Sequence, residues 1–494
     1  MTLAEYTADR ARLVAGETTA EALVDKALAA ATQHAALTAV VAVAADEARA
    51  EARALDARRA AGLPLPPLAG FVLGVKDNIA EAGRSLSCGA RMLAPHRARY
   101  TATAVARLRA AGALSLFRLN CDAFGMGSTG ETSVHGPTRN PRAPGRVPGG
   151  SSSGSAAAVA AGFVHGALGS DTGGSVRLPA AFTGTVGLKP TYGRVSRYGL
   201  VAYASSFDCI GALARSVPEA AMLLGAMAGA DPADATASGR AVPDYAAAVA
   251  AGAAAPDLRG CVIGVPRSFL AEGLHEGVRA AFEAEAARLV ALGATLRDAA
   301  LPHAHLGVAA YYVLTTAEAS SNLGRYDGIR FGHRAGASSA PASDEESPAA
   351  SGAGVEAFYA RNRTEGFGDE VRRRVLLGTY VLSAGYYDAY YNRAQRVRRL
   401  IRDDVLGALA EADVLLLPTA PAPPFRLGEA LADPLQMYLS DVFTVTASLA
   451  GVPALALPAA GCADGLPVGI QLVGRPFGEA DLLRVGAALE AAQK

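Results

Sequence analysis

Phe71-Val72-Leu73-Gly74-Val75-Lys76 is an apolar run that ends on a lysine. A short apolar stretch without alternation reads as a strand buried on both faces. From here the chain alternates. Residues 103–111 suit a helix stopped by Gly112, and 113–119 suit a second buried strand. Residues 155–167 read as a helix of small side chains, 261–265 as a strand, 275–292 as a long amphipathic helix and 294–297 as another strand. Val414 to Leu417, halted by Pro418, is again a fully buried strand. Alternating units of this kind favour an α/β fold with helices layered on both faces of one sheet, α/β/α.

Before Phe71, roughly the first 65 residues read as helices packed on that core. Thr18 and Thr19 precede Glu21 and the apolar spacing Leu23, Val24, Ala27, Leu28, a capped helix start. Residues 38–43 form a short β-like run and 45–61 a charged, Ala-rich helix, broken by Pro64, Pro66 and Pro67. The division is therefore 1–65 and 66–494. Within the second part, 231–260 is rich in Ala, Gly and Pro and reads as a surface excursion. Residues 335–354 are of low complexity and read as a mobile surface insertion, not a domain boundary.

Half of the 494 residues are apolar, enough for a large core. The 46 basic residues match 46 acidic ones and no basic tract stands out, which argues against a broad nucleic-acid face on this chain. Five scattered cysteines, never spaced as CxxC, read as buried thiols in a reducing compartment and not as a zinc site. The N-terminus carries no basic start followed by an apolar stretch, and the Ala-rich segments are interrupted before they could span a bilayer. The expectation is a soluble, cytoplasmic protein with no membrane contact and no bound metal.

Two loops carry the chemistry. Gly149-Gly150-Ser151-Ser152-Ser153-Gly154-Ser155 is followed by Ser170-Asp171-Thr172-Gly173-Gly174-Ser175. Neither contains the lysine of a phosphate-binding P-loop. Serine and lysine together suit a hydrolase that makes an acyl-enzyme without histidine: a neutral amine takes the hydroxyl proton, and amides freed by glycine hold the oxyanion. Lys76 would have to be buried away from anions to be neutral. Asp77 follows it, but on an extended strand the two side chains point to opposite faces. Taken singly, Lys76 could be a strand end, Ser151 loop filler and Ser175 a helix cap. Asp171 and Arg177 read as structural, and His135, His165 and His303 as structural or solvent-facing.

The second loop continues as Asp171-Thr172-Gly173-Gly174-Ser175-Val176-Arg177-Leu178-Pro179. With the first loop and Lys76 it resembles the amidase signature family. That resemblance implies a large twisted mixed sheet covered by helices on both faces, filling 66–494. It also implies Ser175 as nucleophile, Ser151 as bridging serine and Lys76 as base, with an oxyanion hole from Thr172, Gly173, Gly174 and Ser175. Stretches at 187–200, 317–323, 365–371, 382–391 and 437–441 are similar to the glutaminase subunits of aspartyl/glutamyl-tRNA amidotransferases. A glutamine pocket needs a cation for the α-carboxylate and an anion for the α-ammonium. By similarity these are Arg374 and Asp441, with Tyr312 lining the pocket. Tyr386 to Tyr391 read as helix packing.

The same resemblance implies a heterotrimer with B and C subunits. The partner would use ATP and Mg and make most of the contact with mischarged tRNA, and this chain would bind no cofactor. The sequence departs from the pattern at Ser153, where glycine is usual, and at Ala123, where glutamate is typical. The alternatives are a free-standing amidase acting on other carboxamides, which would need an apolar pocket in place of Arg374 and Asp441, and an idle scaffold.

Overall fold

The computed structural model describes residues 2–3, 5–254, 256–336 and 354–493. Among them eleven strands form one sheet: β1 (Val40–Val43), β2 (Val72–Lys76), β3 (Leu114–Leu119), β4 (Gly166–Asp171), β5 (Val186–Lys189), β6 (Cys209–Ala214), β7 (Val262–Val265), β8 (Thr295–Asp298), β9 (Val414–Pro418), β10 (Ala454–Ala463) and β11 (Leu466–Gly474). Their order is β1-β3-β2-β4-β6-β5-β10-β11-β9-β7-β8. Pairing is parallel from β3 through β2 to β4 and from β9 through β7 to β8, and antiparallel elsewhere. The sheet is mixed and α/β, as the resemblance implied.

Alternation along the strands explains the layers. Leu73 and Val75 of β2 enter one apolar core with the helices Val217–Met227 and Glu479–Ala491, whereas Val72 enters another with Ala20–Gln33 and Ser153–Ala160. Every residue of β2, β3, β4, β6 and β9 is buried, which is why the runs at 71–76 and 414–417 show no alternation of polar and apolar side chains. The first 65 residues supply the helices Tyr6–Ala15, Ala20–Gln33 and Ala45–Ala60, the last two cross-linked at the surface and the second capped. Thr19 Oγ1 accepts the Ala22 amide at 3.0 Å, and Arg53 pairs with Glu21 at 2.7 Å. They also supply β1, which pairs with β3 at the sheet edge.

Several expectations need correction. The helix read over 155–167 runs only Ser153–Ala160, and β4 begins at Gly166. Small residues suit both a close-packed helix and a strand pressed between neighbours, so their pattern hid the boundary. The excursion at 231–260 contains a helix, Tyr245–Ala254, whose Tyr245 and Val249 are buried; Gly252 packs so tightly on the Arg484 carbonyl that no β-carbon would fit. Four cysteines are buried but Cys462, on β10, is exposed. Of the tyrosines from 386, Tyr391 packs against a core cluster, while Tyr386, Tyr387 and Tyr390 face outward. Tyr387–Asn392 is a single π-helical turn with no buried residue, and Tyr380, Tyr386, Tyr387 and Tyr390 are each more than 40% exposed. Their rings lie against one another, with centres 4.4–6.0 Å apart among Tyr380, Tyr386 and Tyr390 and 5.1 Å between Tyr387 and Tyr391. Most of the 335–354 insertion lies outside the described residues. No described helix is long and apolar enough to cross a membrane.

β2 and β4 are parallel neighbours with Val75 opposite Leu168. Their carboxyl ends therefore open side by side, which puts Lys76 next to the turn that follows Asp171. Ligands in open α/β sheets bind at such carboxyl ends.

Candidate active site

Lys76 is fully buried, and its Nζ is ringed by three hydroxyls: Ser151 at 2.7 Å, Ser170 at 2.9 Å and Ser152 at 3.0 Å. Burial pushes the ammonium down to about 8, against the opposing pull of Cys121, Asp122, Asp171 and Asp208. Asp77 faces away, as strand geometry required. It accepts hydrogen bonds from the Ser87 amide and hydroxyl and lies 3.5 Å from Arg118. Arg118 also donates to the carbonyls of Lys76 and Ile79, and beyond it Glu81 pairs with Arg84 at 3.0 Å. The charges behind the strand end thus balance among themselves and leave the amine without an anionic partner.

The three hydroxyls differ in how far other groups already engage them. Ser152 Oγ donates to the Ser170 carbonyl at 3.2 Å and accepts the Ser170 amide at 3.3 Å as well as Lys76, which fills its capacity. Ser170 Oγ accepts from both Lys76 and Asn78 Nδ2, at 2.9 Å each. Ser151 Oγ has Lys76 as its one hydrogen-bond partner among the described residues. Because the base must be neutral to accept a proton, kcat/KM is expected to climb with pH and level off above about 8. A pH–rate profile that is flat from about 6 to 9 would remove Lys76 from the role.

The serine loop holds its shape through close backbone approach. Gly149 has φ +78°, and a β-carbon on Gly150 would run into the Asp122 carboxylate and the amides of Thr129 and Gly130. Asp122 is itself tied down by the amides of Gly130 and Thr132 and by the Thr132 hydroxyl. The Gly150–Ser151 peptide bond is cis. The Ser152 amide donates to the Ser175 carbonyl at 3.2 Å, stitching this loop to the second.

The second loop is clamped by Arg177. It pairs with Asp171 through two bonds of 2.9 and 3.1 Å and donates to the Thr444 carbonyl, Gln471 and Ser448. The amides of Val176 and Arg177 also turn to Asp171. Burial alone would raise the Asp171 carboxyl, but Arg177 outweighs it and holds the group below its ordinary range. Asp171 and Arg177 are structural, as read. The amides of Thr172, Gly173, Gly174 and Ser175 make no hydrogen bond among the described residues, so four donors line one turn. Gly173 abuts the Tyr311 ring, where a β-carbon would not fit. Ser175 is 8% exposed against 0% for Lys76 and 1% for Ser151, so the most open residue of the three is the serine at the turn.

Arg374, Asp441 and Tyr312 come together as expected. Arg374 lies on the helix Asp369–Leu382, buried, with Nε on Glu370 at 2.7 Å and Nη1 on the Tyr203 hydroxyl at 2.9 Å. Its guanidinium carbon sits 5.1–5.6 Å from the ring centres of Tyr312, Tyr438 and Tyr203, and Nη2 has no hydrogen-bond partner among the described residues. Asp441 accepts from Ser128 at 2.9 Å and from the Tyr312 hydroxyl at 3.2 Å, and burial lifts its carboxyl to about 6. The flanking Arg372 and Arg373 are surface residues paired with Asp369 and Glu370, so of the three arginines one points inward. Ser128, Glu370, Tyr203 and Tyr438 also belong to this pocket and were not singled out from the sequence. Single polar residues scattered from Ser128 to Tyr438 leave no local pattern; only Glu370 and Tyr438 lay in stretches already noted, at 365–371 and 437–441. His165 is buried between the Val72 amide and Asp9, and His303 pairs with Asp404, both structural. His135 meets Ser87 at 2.9 Å.

The chain matches the family model described as Amidase over residues 21–483. It is 51% identical to the A subunit of glutamyl-tRNA(Gln) amidotransferase from Salinibacter ruber, covering 98% of this chain and 99% of that one. It is also 51% identical to the protein of that name from Halorhodospira halophila, covering 96% and 94%. Among solved structures it resembles the same protein of Thermotoga maritima, at 37% identity and a TM-score of 0.76, over 95% of this chain and 91% of that one. It resembles the peptide amidase of Stenotrophomonas maltophilia at 33% identity and a TM-score of 0.78, over 98% and 96%.

Proposed function

We propose, from the premise that the chain belongs to the amidase family, that it is the glutaminase component of a glutamyl-tRNA(Gln) amidotransferase. One observation carries the choice of substrate: a buried guanidinium with an unpartnered Nη2 shares an aromatic pocket with a buried carboxylate, and Tyr311, whose ring lies against Tyr312 in that pocket, abuts Gly173 of the serine turn. An α-amino acid side-chain amide offers matching groups, a carboxylate for Arg374 and an ammonium for Asp441. A pocket for aryl or fatty amides would have no use for either charge.

In this reading Ser175 Oγ attacks the glutamine carboxamide carbon while Ser151 takes its proton and passes its own to neutral Lys76. The oxyanion rests on the amides of 172–175. Ser151 then returns a proton to the departing nitrogen, so ammonia leaves and a glutamyl ester remains on Ser175. Water cleaves the ester by the same relay, releasing glutamate. The relatives named as A subunits support partner B and C subunits in a heterotrimer. There the ammonia would amidate glutamate, or aspartate, carried on tRNA, with ATP and Mg used by the partner. This reading sets the protein in the cytoplasm and gives this chain no cofactor of its own.

Ammonia release from glutamine, with and without the partner subunits, tests the substrate. Asp441→Ala is expected to raise KM for glutamine about 10- to 100-fold, the range for losing one charge-assisted contact, with a smaller change in kcat. An unchanged KM would take Asp441 out of the pocket. Comparable turnover of glutamine and of simple aryl amides would favour the free-standing amidase.

A further inference from the structure

The glutamine pocket and the oxyanion turn are joined by one carboxylate, Asp208, that the reaction outlined above does not use. Asp208 immediately precedes β6, and Cys209 of that strand lies opposite Asp171 of β4. The register therefore puts Asp208 beside Thr172, the first residue of the turn. Asp208 Oδ1 accepts the Thr172 hydroxyl at 2.7 Å. The same carboxylate accepts the amides of Tyr203 at 3.0 Å and Ala204 at 3.1–3.2 Å. Tyr203 is the residue whose hydroxyl takes the Arg374 Nη1 bond, and it passes its own proton to Thr315 at 3.0 Å. Asp208 is 3% exposed, so nothing from solvent competes for these bonds.

We propose that Asp208 is a positioning residue that ties the grip on the substrate's α-carboxylate to the placement of the oxyanion turn. The path is continuous: Arg374 to Tyr203, the Tyr203–Ala204 backbone to Asp208, and Asp208 to Thr172. Binding energy from a remote part of a substrate raises kcat only if it is realised at the reacting centre. Here the remote group is the α-carboxylate and the reacting centre is served by the amides of 172–175. A substrate without the carboxylate leaves Arg374 unengaged and gains nothing from the link. The inference rests on the glutamine reading.

The test compares two amides in the full chain assembled with its partner subunits: L-glutamine, and 4-aminobutanamide, which is glutamine without the α-carboxylate. Asp208→Asn keeps the shape but offers one acceptor oxygen where three donors converge. Its expected effect is a fall of roughly 10- to 100-fold in kcat for glutamine, as for a small misplacement of reacting groups. KM for glutamine and the slow turnover of 4-aminobutanamide should stay within about threefold, so the preference for glutamine collapses. Asp208→Ser, whose single short hydroxyl cannot reach the Thr172 hydroxyl and the amides of 203 and 204 together, should act alike and serves if Asp208→Asn does not fold. Equal losses on both amides would reduce Asp208 to a prop for the turn and overturn the coupling, and so would an unchanged preference in both variants. A wild-type complex that shows no preference for glutamine overturns the substrate reading itself, and the inference with it.

Discussion

Ser175→Ala is expected to abolish glutamine hydrolysis, with kcat lowered by roughly 10⁴-fold or more, the scale on which loss of a nucleophile acts in serine acyl-enzyme hydrolases. The structure makes this a clean test. The Ser175 hydroxyl has no hydrogen-bond partner among the described residues, so its removal strands no buried group, and the loop stays stitched through the Ser175 carbonyl and the Ser152 amide. Stability is therefore expected to stay within about 0.5 kcal/mol of the parent, the usual range away from special features. Glutamine should still bind, because Arg374 and Asp441 are untouched. A variant that binds glutamine by calorimetry and releases no ammonia meets the expectation; one that releases it at the parental rate moves the nucleophile elsewhere.

Lys76→Met is the second large effect, and it has two sides. Without the base, kcat should fall by about 10²- to 10⁴-fold, the range for general acid–base catalysis, with little change in KM. Stability should move the other way. The native group is held at about 8 against an ordinary 10.5, which corresponds to about 3 kcal/mol of penalty for the buried ammonium at neutral pH. Against that, Ser151 loses its one donor, at about 1–2 kcal/mol; Ser152 and Ser170 keep other partners. A net gain of about 1 kcal/mol at about pH 7 is expected in denaturant unfolding. The sign follows from proton counting. Between about 8 and 10.5 the unfolded parent binds the proton and the native parent does not, so the parent's stability rises with pH there and the variant's advantage fades. A Lys76→Met protein less stable than the parent at neutral pH would mean the amine is already neutral or better solvated.

The sequence yielded the catalytic elements where chemistry is local. The 71–76 run is β2, 414–417 falls in β9 (Val414–Pro418), and 275–292 contains the helix Glu276–Ala291, because unbroken apolar runs and helical spacing survive any tertiary context. β4 was missed because Gly-Ala-Leu-Gly-Ser-Asp has almost no β-propensity of its own; it is a strand because two flanking strands demand one. The Lys76–Ser151 contact, the serine turn and the Arg374–Asp441 pocket were legible only jointly, through spacing and resemblance. Ser128, Glu370 and Asp208 were not, since each matters through partners far away in sequence. The reading of Tyr386–Tyr391 as helix packing left open which surface the rings would meet. Tyrosine-rich helical sequence looks alike whether its rings face a core or one another.

Those surface rings have a practical consequence, because the chain has no tryptophan. Its near-ultraviolet absorption and emission come from tyrosine, and Tyr380, Tyr386 and Tyr390 stand close enough to pass excitation among themselves. Whatever covers or separates them should alter the emission, so binding at this face can be followed optically with no added label.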